Sequence, residues 1–473
     1  MLGTQLAELL DGEPAGLAQA LELVRGLDAA LAHGFARVGE EGARALADLA
    51  GALSVTPLGD RVAEAAGKLT AGSVADEHLL ALAGARAALL GAGYDALLAR
   101  LDAVLGRDRL GWQRRPVPAA PPPGAANALA ACRSWLRELA ITGWRGVDHD
   151  LVAAGGQPIE AALAVPGLRR LAVLLDGLAA ELRASCPVAT MPAVPARRWG
   201  DLWARAVLLA DNGGLAGSGG GGGDAGEMVS GRLLVLGADV HEHGTAVQAQ
   251  VHGVLEPAGG GAARLVRASV AAAKVDTIVG PALWRLLPAP TLLRALAEHR
   301  SLDVTDLPLH GGDLLWRDDQ ALVGEPADPF TTARVQLAAA AAAQAPPLDR
   351  HPVGIAEPVL LEGYAARTDA GAASFELGGH AVAVDVDRLP ACGPLTAELV
   401  AASSACLGLV RWEAGRWLVQ PLAVRATVKR KVVGVHNGDW AQGPTDPKVV
   451  KAEAKAGDAV AVLRERAGRL LRR

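Results

Sequence analysis

Apolar residues in the first part of the chain recur every three or four positions, which is the spacing of one face of an α-helix. The clearest set is Leu17, Leu21, Val24 and Leu31. Glycine, proline and serine interrupt this pattern at short intervals, as they do between helices. We therefore predict helical domains over residues 1–115 and 125–210, separated by a Pro-rich linker at 116–124.

A run of five glycines, Gly219–Gly223, lies in a segment at 211–227 whose composition is typical of a flexible linker. Beyond this segment the pattern changes from helical to strand-like. Apolar Val247, Ala249 and Val251 alternate with polar neighbours, as expected for a strand with one buried face. The glycine run is therefore predicted to be the main boundary between two structurally different halves.

The C-terminal half is predicted to hold two β-rich units, at 228–345 and 346–436. Within it, Pro281–Arg300 and Leu395–Ser404 are predicted as helices. Gly-Gly and Ala-Gly turns indicate hairpins, which are predicted at 375–386 and 409–419. The predicted fold class is α+β multidomain, with an all-helical N-terminal half and a β-rich C-terminal half made of small barrels or sheets with a few helices.

The tail at 437–473 is predicted to be a basic amphipathic helix, because Asp446-Pro447 is a typical helix start and apolar residues then follow at helical spacing. Its predicted partner-binding cations are Lys448, Lys451, Lys455, Arg464, Arg466 and Arg469. From Lys429 to the end, eleven cations face five acids, a local charge of +6 in a chain of net −5. This asymmetry indicates an anionic partner: nucleic acid, an acidic protein face or a membrane surface.

Composition limits the classes of protein to which this chain can belong. Apolar residues make up 51% of the 473-residue chain, which is enough for several packed cores. The four cysteines form no CxxC or CxC pair, which argues against a zinc ribbon or a redox dithiol and fits a reducing cytoplasm. No uncharged apolar run approaches 18 residues, so we predict no membrane span.

Local signatures of catalysis are missing from the sequence. Gly67-Lys68 is followed by leucine, so it is not a P-loop, and the 213–223 glycines match a dinucleotide-binding pattern only through low complexity. There is no GxSxG and no HExxH. The sequence therefore names no reaction and no cofactor, and it favours a protein that is not an enzyme.

A histidine group is the best metal candidate in the sequence. His241 and His243 are two residues apart and would share one face of a strand, and His252 could join them from a paired strand. Such a site would make the chain a metal-dependent enzyme. The alternative is that these are solvated or turn residues before Gly244.

Aromatic and cationic residues alternate near the second predicted hairpin, a pattern that can stack bases and hold phosphates. The candidate nucleic-acid-binding residues are Arg411, Trp412, Arg416, Trp417, Lys429, Arg430 and Lys431. The alternative is that the two indoles pack in the core while the cations keep a sheet edge soluble.

Two segments carry a resemblance to a known group of proteins. Residues 195–210 (PARRWGDLWARAVLLA) and 407–424 (LGLVRWEAGRWLVQPLAV) resemble uncharacterised proteins of GC-rich bacteria that are encoded beside MoxR-type AAA+ ATPases, VWA-domain proteins and SWIM zinc-finger proteins. This chain lacks the zinc ligands of a SWIM finger, the Walker motifs and the metal-adhesion motif. The resemblance therefore implies an accessory or adaptor role in a chaperone-like system.

Three hypotheses about function follow, in this order. The first is a non-enzymatic adaptor or interaction protein with a protein partner, because catalytic motifs are missing and the tail is strongly cationic. The second is a nucleic-acid-binding protein that uses the basic and aromatic sheet together with the tail. The third is a metal-dependent enzyme built on the histidine group.

Overall fold

The computed structural model describes residues 1–112, 125–211, 227–369, 371–456, 460–462 and 465. The predicted linker at 116–124 and the Gly219–Gly223 run lie outside the described residues. The predicted α+β fold class is confirmed, because helices dominate the N-terminal half and sheets dominate the C-terminal half.

The described residues of the N-terminal half form ten α-helices. They are α1 Gly3–Leu10, α2 Leu17–His33, α3 Glu40–Leu53, α4 Gly59–Thr70, α5 Asp76–Leu105, α6 Ala125–Thr142, α7 His149–Ala154, α8 Gly156–Leu163, α9 Arg169–Ser185 and α10 Ala196–Asp211. Helices α2–α10 pack around one helical core, which includes Leu82, Trp144, Trp199 and Trp203. The two helical segments on either side of the predicted Pro-rich linker therefore share a single core.

The described residues also form fifteen strands. They are β1 Arg109–Leu110, β2 Glu227–Glu242, β3 Ala246–Pro257, β4 Arg264–Ala273, β5 Arg300–His310, β6 Asp313–Leu314, β7 Ala321–Pro326, β8 Ala342–Ala343, β9 Glu357–Glu362, β10 Ala365–Asp369, β11 Ala372–Leu377, β12 His380–Val384, β13 Ser403–Glu413, β14 Arg416–Val428 and β15 Lys431–His436. The helices between and after them are α11 Pro290–Glu298, α12 Pro329–Gln336, α13 Ala397–Ala401 and α14 Pro447–Ala456.

Two helix predictions in this half need correction. The predicted helix at Pro281–Arg300 is a 3₁₀ helix at Gly280–Leu286 followed by α11, because Pro288 and Pro290 interrupt backbone hydrogen bonding between them. The predicted helix at Leu395–Ser404 is reduced to α13. The chain leaves the helix there because β13 pairs with both β9 and β14.

The first sheet closes on itself. Its strand order is β2-β3-β4-β6-β5-β7, and β2 also pairs with β5, so that β2, β3, β4, β6 and β5 form a small barrel. Apolar residues of these strands pack with Leu292, Leu293 and Leu296 of α11 in a barrel core. The second sheet has the order β10-β11-β12-β14-β13-β9, and β15 also pairs with β14.

Helix α5 links the two halves. It begins with Asp76 and Glu77 in its first turn, ends at Gly106 in a left-handed conformation, and spans roughly 45 Å with apolar residues all round. Its first half packs in the helical core. Its second half, from Tyr94 to Val104, packs with α1 against the second sheet in a sheet core. The two halves are therefore in direct contact, and the predicted domain boundaries stay predictions.

The barrel and the second sheet meet at a seam, which we define by the buried contact of Leu234, Leu236 and Val254 with Leu360 and Leu407. A β-bulge in β2 shapes this seam, because β2 and β3 change register between Val235 and Gly237. The extra residue changes which side chains face the second sheet.

None of the described helices has the length and apolarity needed to cross a membrane.

Candidate functional site

The carboxylate of Asp239 is buried in the seam and joins the barrel to the second sheet. Its side chain is 1% exposed. Gln420 of β14 donates its Nε2–H to Oδ1 at 2.7 Å, and Arg411 of β13 donates from Nη2 to Oδ2 at 2.9 Å. Arg411 also donates its Nε–H to Oε1 of Gln420 at 2.5 Å. Three side chains from three strands thus satisfy one another's hydrogen-bonding groups.

His241 is the solvent-facing member of this network. Its Nε2 lies 2.9 Å from Oδ2 of Asp239, and its side chain is 49% exposed. Burial by itself raises the pKa of Asp239, but the hydrogen bond and charge of His241 together with the charge of Arg411 outweigh burial and hold that pKa below its usual range. The carboxylate orients the imidazole, as carboxylates orient histidines in metal and catalytic sites.

The structure does not bring the three predicted metal ligands together. His252 pairs with Gly237 while His241 pairs with Gln248, which separates the two histidines by about 13 Å along the strands. His252 is fully buried, and burial lowers its pKa to about 3. The side chain of His243 contacts Thr245 in the hairpin turn, with Nδ1 and Oγ1 3.1 Å apart. In the part of the chain that the structure describes, no three His, Cys, Asp or Glu side chains could hold a metal ion.

The predicted stacking surface on the second sheet also needs correction. Trp412 and Trp417 are a cross-strand pair with ring centroids 5.6 Å apart, and both are buried in the sheet core. Arg411 is buried against Asp239. Arg416 is exposed, but it lies at one end of the 13-residue strand β14, roughly 40 Å from Lys429 beyond the other end. The indoles pack in the core, as the alternative interpretation held.

Lys429, Arg430 and Lys431 do come together, at the tip of the hairpin formed by β14 and β15. Val428 pairs with Lys431, so that Lys429 and Arg430 form a two-residue turn. Every residue from Thr427 to Val432 is exposed, and we call this segment the cationic hairpin. No ion pair involving these three cations occurs among the described residues.

The turn of the cationic hairpin has an unusual backbone. Lys429 and Arg430 have φ values of 48° and 67°, in the left-handed region that favours glycine. Two other hairpin turns of the second sheet, Gly378-Gly379 and Ala414-Gly415, each contain glycine, although Ala414 also has a positive φ, of 49°. Two non-glycine residues in this region cost roughly 1–2 kcal/mol each. Strained backbone conformations of this kind cluster at functional sites.

The predicted tail helix is present as α14, and its start at Asp446-Pro447 is confirmed, because Asp446 accepts the Lys448 backbone N–H at 2.7 Å. Val449 and Val460 pack against the barrel core. The exposed cations on the described part of the tail are Lys448, Lys451 and Lys455. Arg464, Arg466 and Arg469 lie outside the described residues.

Two buried charge networks are absent from the sequence predictions. Arg86 makes a bidentate pair with Asp28, at 2.8 and 3.1 Å, and contacts Asp201 at 3.2 Å inside the helical half. Arg107 and Arg109 both contact Glu357 of β9, at 3.0 and 3.3 Å. Each network joins segments more than 50 residues apart, so no local pattern could have indicated it. The first network fixes the packing of helices on one another, and the second fixes the segment after α5 against the second sheet.

The cationic hairpin thus differs from the buried networks in being both charged and accessible. Of the predicted nucleic-acid-binding residues, it brings together three and leaves the others buried or distant.

Comparisons with protein-family models, with curated proteins and with solved structures find no significant match for this chain.

Proposed function

We propose that this chain is a non-enzymatic interaction protein that binds an anionic protein partner through the cationic hairpin. The observation that carries the proposal is the clustering of Lys429, Arg430 and Lys431 at an exposed hairpin tip. Three adjacent positive charges repel one another when no acidic group lies near them. An acidic partner relieves that repulsion and is attracted over a distance of about 8 Å at physiological salt.

The backbone of the turn supports the same proposal independently. A glycine or asparagine at Lys429 or Arg430 would form this turn with less strain. The chain instead carries two cations there, with φ values of 48° and 67°. A less stable turn at an exposed position, with no gain in packing, is consistent with a binding function.

The protein-partner version of the proposal also has support from the sequence. The resemblance of residues 195–210 and 407–424 to proteins encoded beside MoxR-type ATPases and VWA-domain proteins is consistent with an adaptor role in a chaperone-like system. The four cysteines are unpaired, which is consistent with a reducing, cytoplasmic location.

The test uses the full chain and fluorescein-labelled poly-L-glutamate, with binding followed by anisotropy. Reversing the three hairpin charges together (Lys429→Glu, Arg430→Glu and Lys431→Glu) is expected to weaken binding at least tenfold. Binding to the parent chain should fall as salt is added, because counter-ions screen the attraction.

Two matched controls locate the effect. Arg416→Glu changes an exposed cation at the far end of β14, and reversal of Lys448, Lys451 and Lys455 changes the described cations of the tail. Both should bind poly-L-glutamate within about twofold of the parent chain. If the tail reversal abolishes binding while the hairpin reversal does not, the hairpin is not the binding element and the proposal is wrong.

A further inference from the structure

The outer side of β15 is an open sheet edge. β15 pairs with β14 along one side, from Ala423↔His436 to Val428↔Lys431. No pairing of its other side occurs within the described residues. Sheet edges of this kind can accept an added strand from another chain.

The hydrogen-bond phase of β15 shows which residues form that edge. Asn437 donates its backbone N–H to Leu422 O at 2.9 Å, so residues at odd positions of β15 face β14. The two-residue turn after Val428 requires the same phase, because its closing pair is hydrogen-bonded. Residues at even positions therefore direct their backbone N–H and C=O groups outward.

Two of these outward residues are available to a partner. His436, the third, donates its N–H to Oδ2 of Asp439 at 3.0 Å. For Val432 and Gly434, no hydrogen bond of the outward N–H is present in the described part of the chain. Val432 is 68% exposed, so an apolar side chain lies beside these two backbone positions.

Charge indicates what kind of strand this edge accepts. The cationic hairpin lies at the turn end of β15, so a pairing strand has its end near Lys429, Arg430 and Lys431. Acidic side chains are favoured there. No exposed aromatic ring lies on the segment from Thr427 to Val435, so it offers no platform for base stacking, whereas its backbone edge matches a peptide.

We propose that β15 receives an extended, acidic segment of a partner protein, which pairs with the backbone of Val432 and Gly434 while its carboxylates contact the cationic hairpin. This inference rests on the proposed function, because it names the chemistry and the conformation of the anionic partner. Backbone pairing supplies affinity, and the hairpin charges select acidic sequences.

The test compares two variants of one glycine. Gly434→Pro removes the outward N–H but leaves the inward pairing of β15 and every charge unchanged, and proline is tolerated on edge strands. Gly434→Ala keeps the N–H, and its added Cβ would lie 3.6 Å from Nε2 of His436, an ordinary contact. The probe is a fluorescein-labelled peptide of about eight residues in which glutamate and valine alternate.

We expect Gly434→Pro to bind the peptide about tenfold more weakly than the parent chain and Gly434→Ala to bind it within twofold. Poly-L-glutamate, recognised by charge, should bind the proline variant nearly as well as the parent. A second measurement guards against misfolding of that variant: the same peptide N-methylated at alternate residues should bind the parent chain about tenfold more weakly.

The outcomes separate the two proposals. If Gly434→Pro and N-methylation leave peptide binding unchanged while the hairpin charge reversal removes it, the strand-addition inference is wrong and the proposed function stands. If none of these changes affects binding, both are wrong. The inference is also overturned if single-stranded DNA binds the parent chain more tightly than the peptide does, or if β15 is occupied by a second copy of the chain, seen as a dimer that Gly434→Pro dissociates.

Discussion

Replacing Asp239 by asparagine should destabilise the seam between the barrel and the second sheet. The carboxylate accepts hydrogen bonds from Gln420 and Arg411 through its two oxygens. Asparagine keeps the shape but has one acceptor oxygen, and its NH₂ group would face another donor. At least one donor therefore loses its partner, and the charge of Arg411 stays buried without a counter-ion.

The magnitude follows from burial. Removing one partner of a buried ion pair costs about 3–5 kcal/mol, because the other charge is left uncompensated. Asp239 is 1% exposed and Arg411 is 6% exposed. His241, however, leaves one side of the network half open to water. We therefore expect a loss of about 3 kcal/mol, at the lower end of that range.

Urea unfolding followed by tryptophan fluorescence measures this loss. Asp303→Asn, which changes an exposed carboxylate on the neighbouring strand β5, should alter stability by less than about 0.5 kcal/mol. In the double variant Asp239→Asn/Arg411→Met, no uncompensated charge remains. Its loss of stability should therefore be smaller, by about 1–3 kcal/mol, than the sum of the losses of the two single variants. A loss below about 1 kcal/mol for Asp239→Asn, or strict additivity of the two substitutions, would show that the buried carboxylate does not compensate the charge of Arg411.

Three further predictions concern the turn, the helical half and acid stability. Arg430→Gly should raise the free energy of unfolding by about 1 kcal/mol by relieving left-handed strain, and it should weaken poly-L-glutamate binding. A rise in both stability and affinity would contradict the idea that the turn is strained in order to carry a binding residue. Arg86→Met should lower the free energy of unfolding by about 3 kcal/mol at neutral pH, because Asp28 is left buried without its partner; an unchanged urea midpoint would show that the pair contributes little. Burial lowers the pKa of three histidines, so the unfolded chain binds protons before the folded chain does as pH falls from about 6.5. The free energy of unfolding should therefore decrease between pH 6.5 and 4, by about 3 kcal/mol for each histidine with a pKa near 4. Urea midpoints that do not change over this range would contradict this prediction. The three are His252, with a pKa of about 3, and His351 and His436, each with a pKa of about 4.

The sequence predicted an element well where one face of the segment is buried and the other is exposed, or where a typical start residue is present. Alternation in residues 245–255 predicted β3, and the Asp446-Pro447 start predicted α14. The prediction failed where tertiary contacts override local preference. Leu395–Ser404 has a helical pattern, but Ser403 begins a strand because β9 and β14 lie on either side of it.

The candidate site could be predicted only in part, because its buried and exposed residues look alike in sequence. Lys429, Arg430 and Lys431 are accessible because a two-residue turn places them at a hairpin tip. Arg411 is equally cationic but pairs with Asp239, 172 residues away in the chain. The bulge that directs Asp239 into the seam is a property of strand register, and no local pattern in the sequence indicates it.

Amide hydrogen exchange can show whether β15 is the edge along which an acidic strand binds. The rates at Val432 and Gly434 should be measured with and without the alternating glutamate–valine peptide. We predict that the peptide slows exchange at both amides, with little change at Arg416. Unchanged rates at Val432 and Gly434 when the peptide is saturating would contradict the claim.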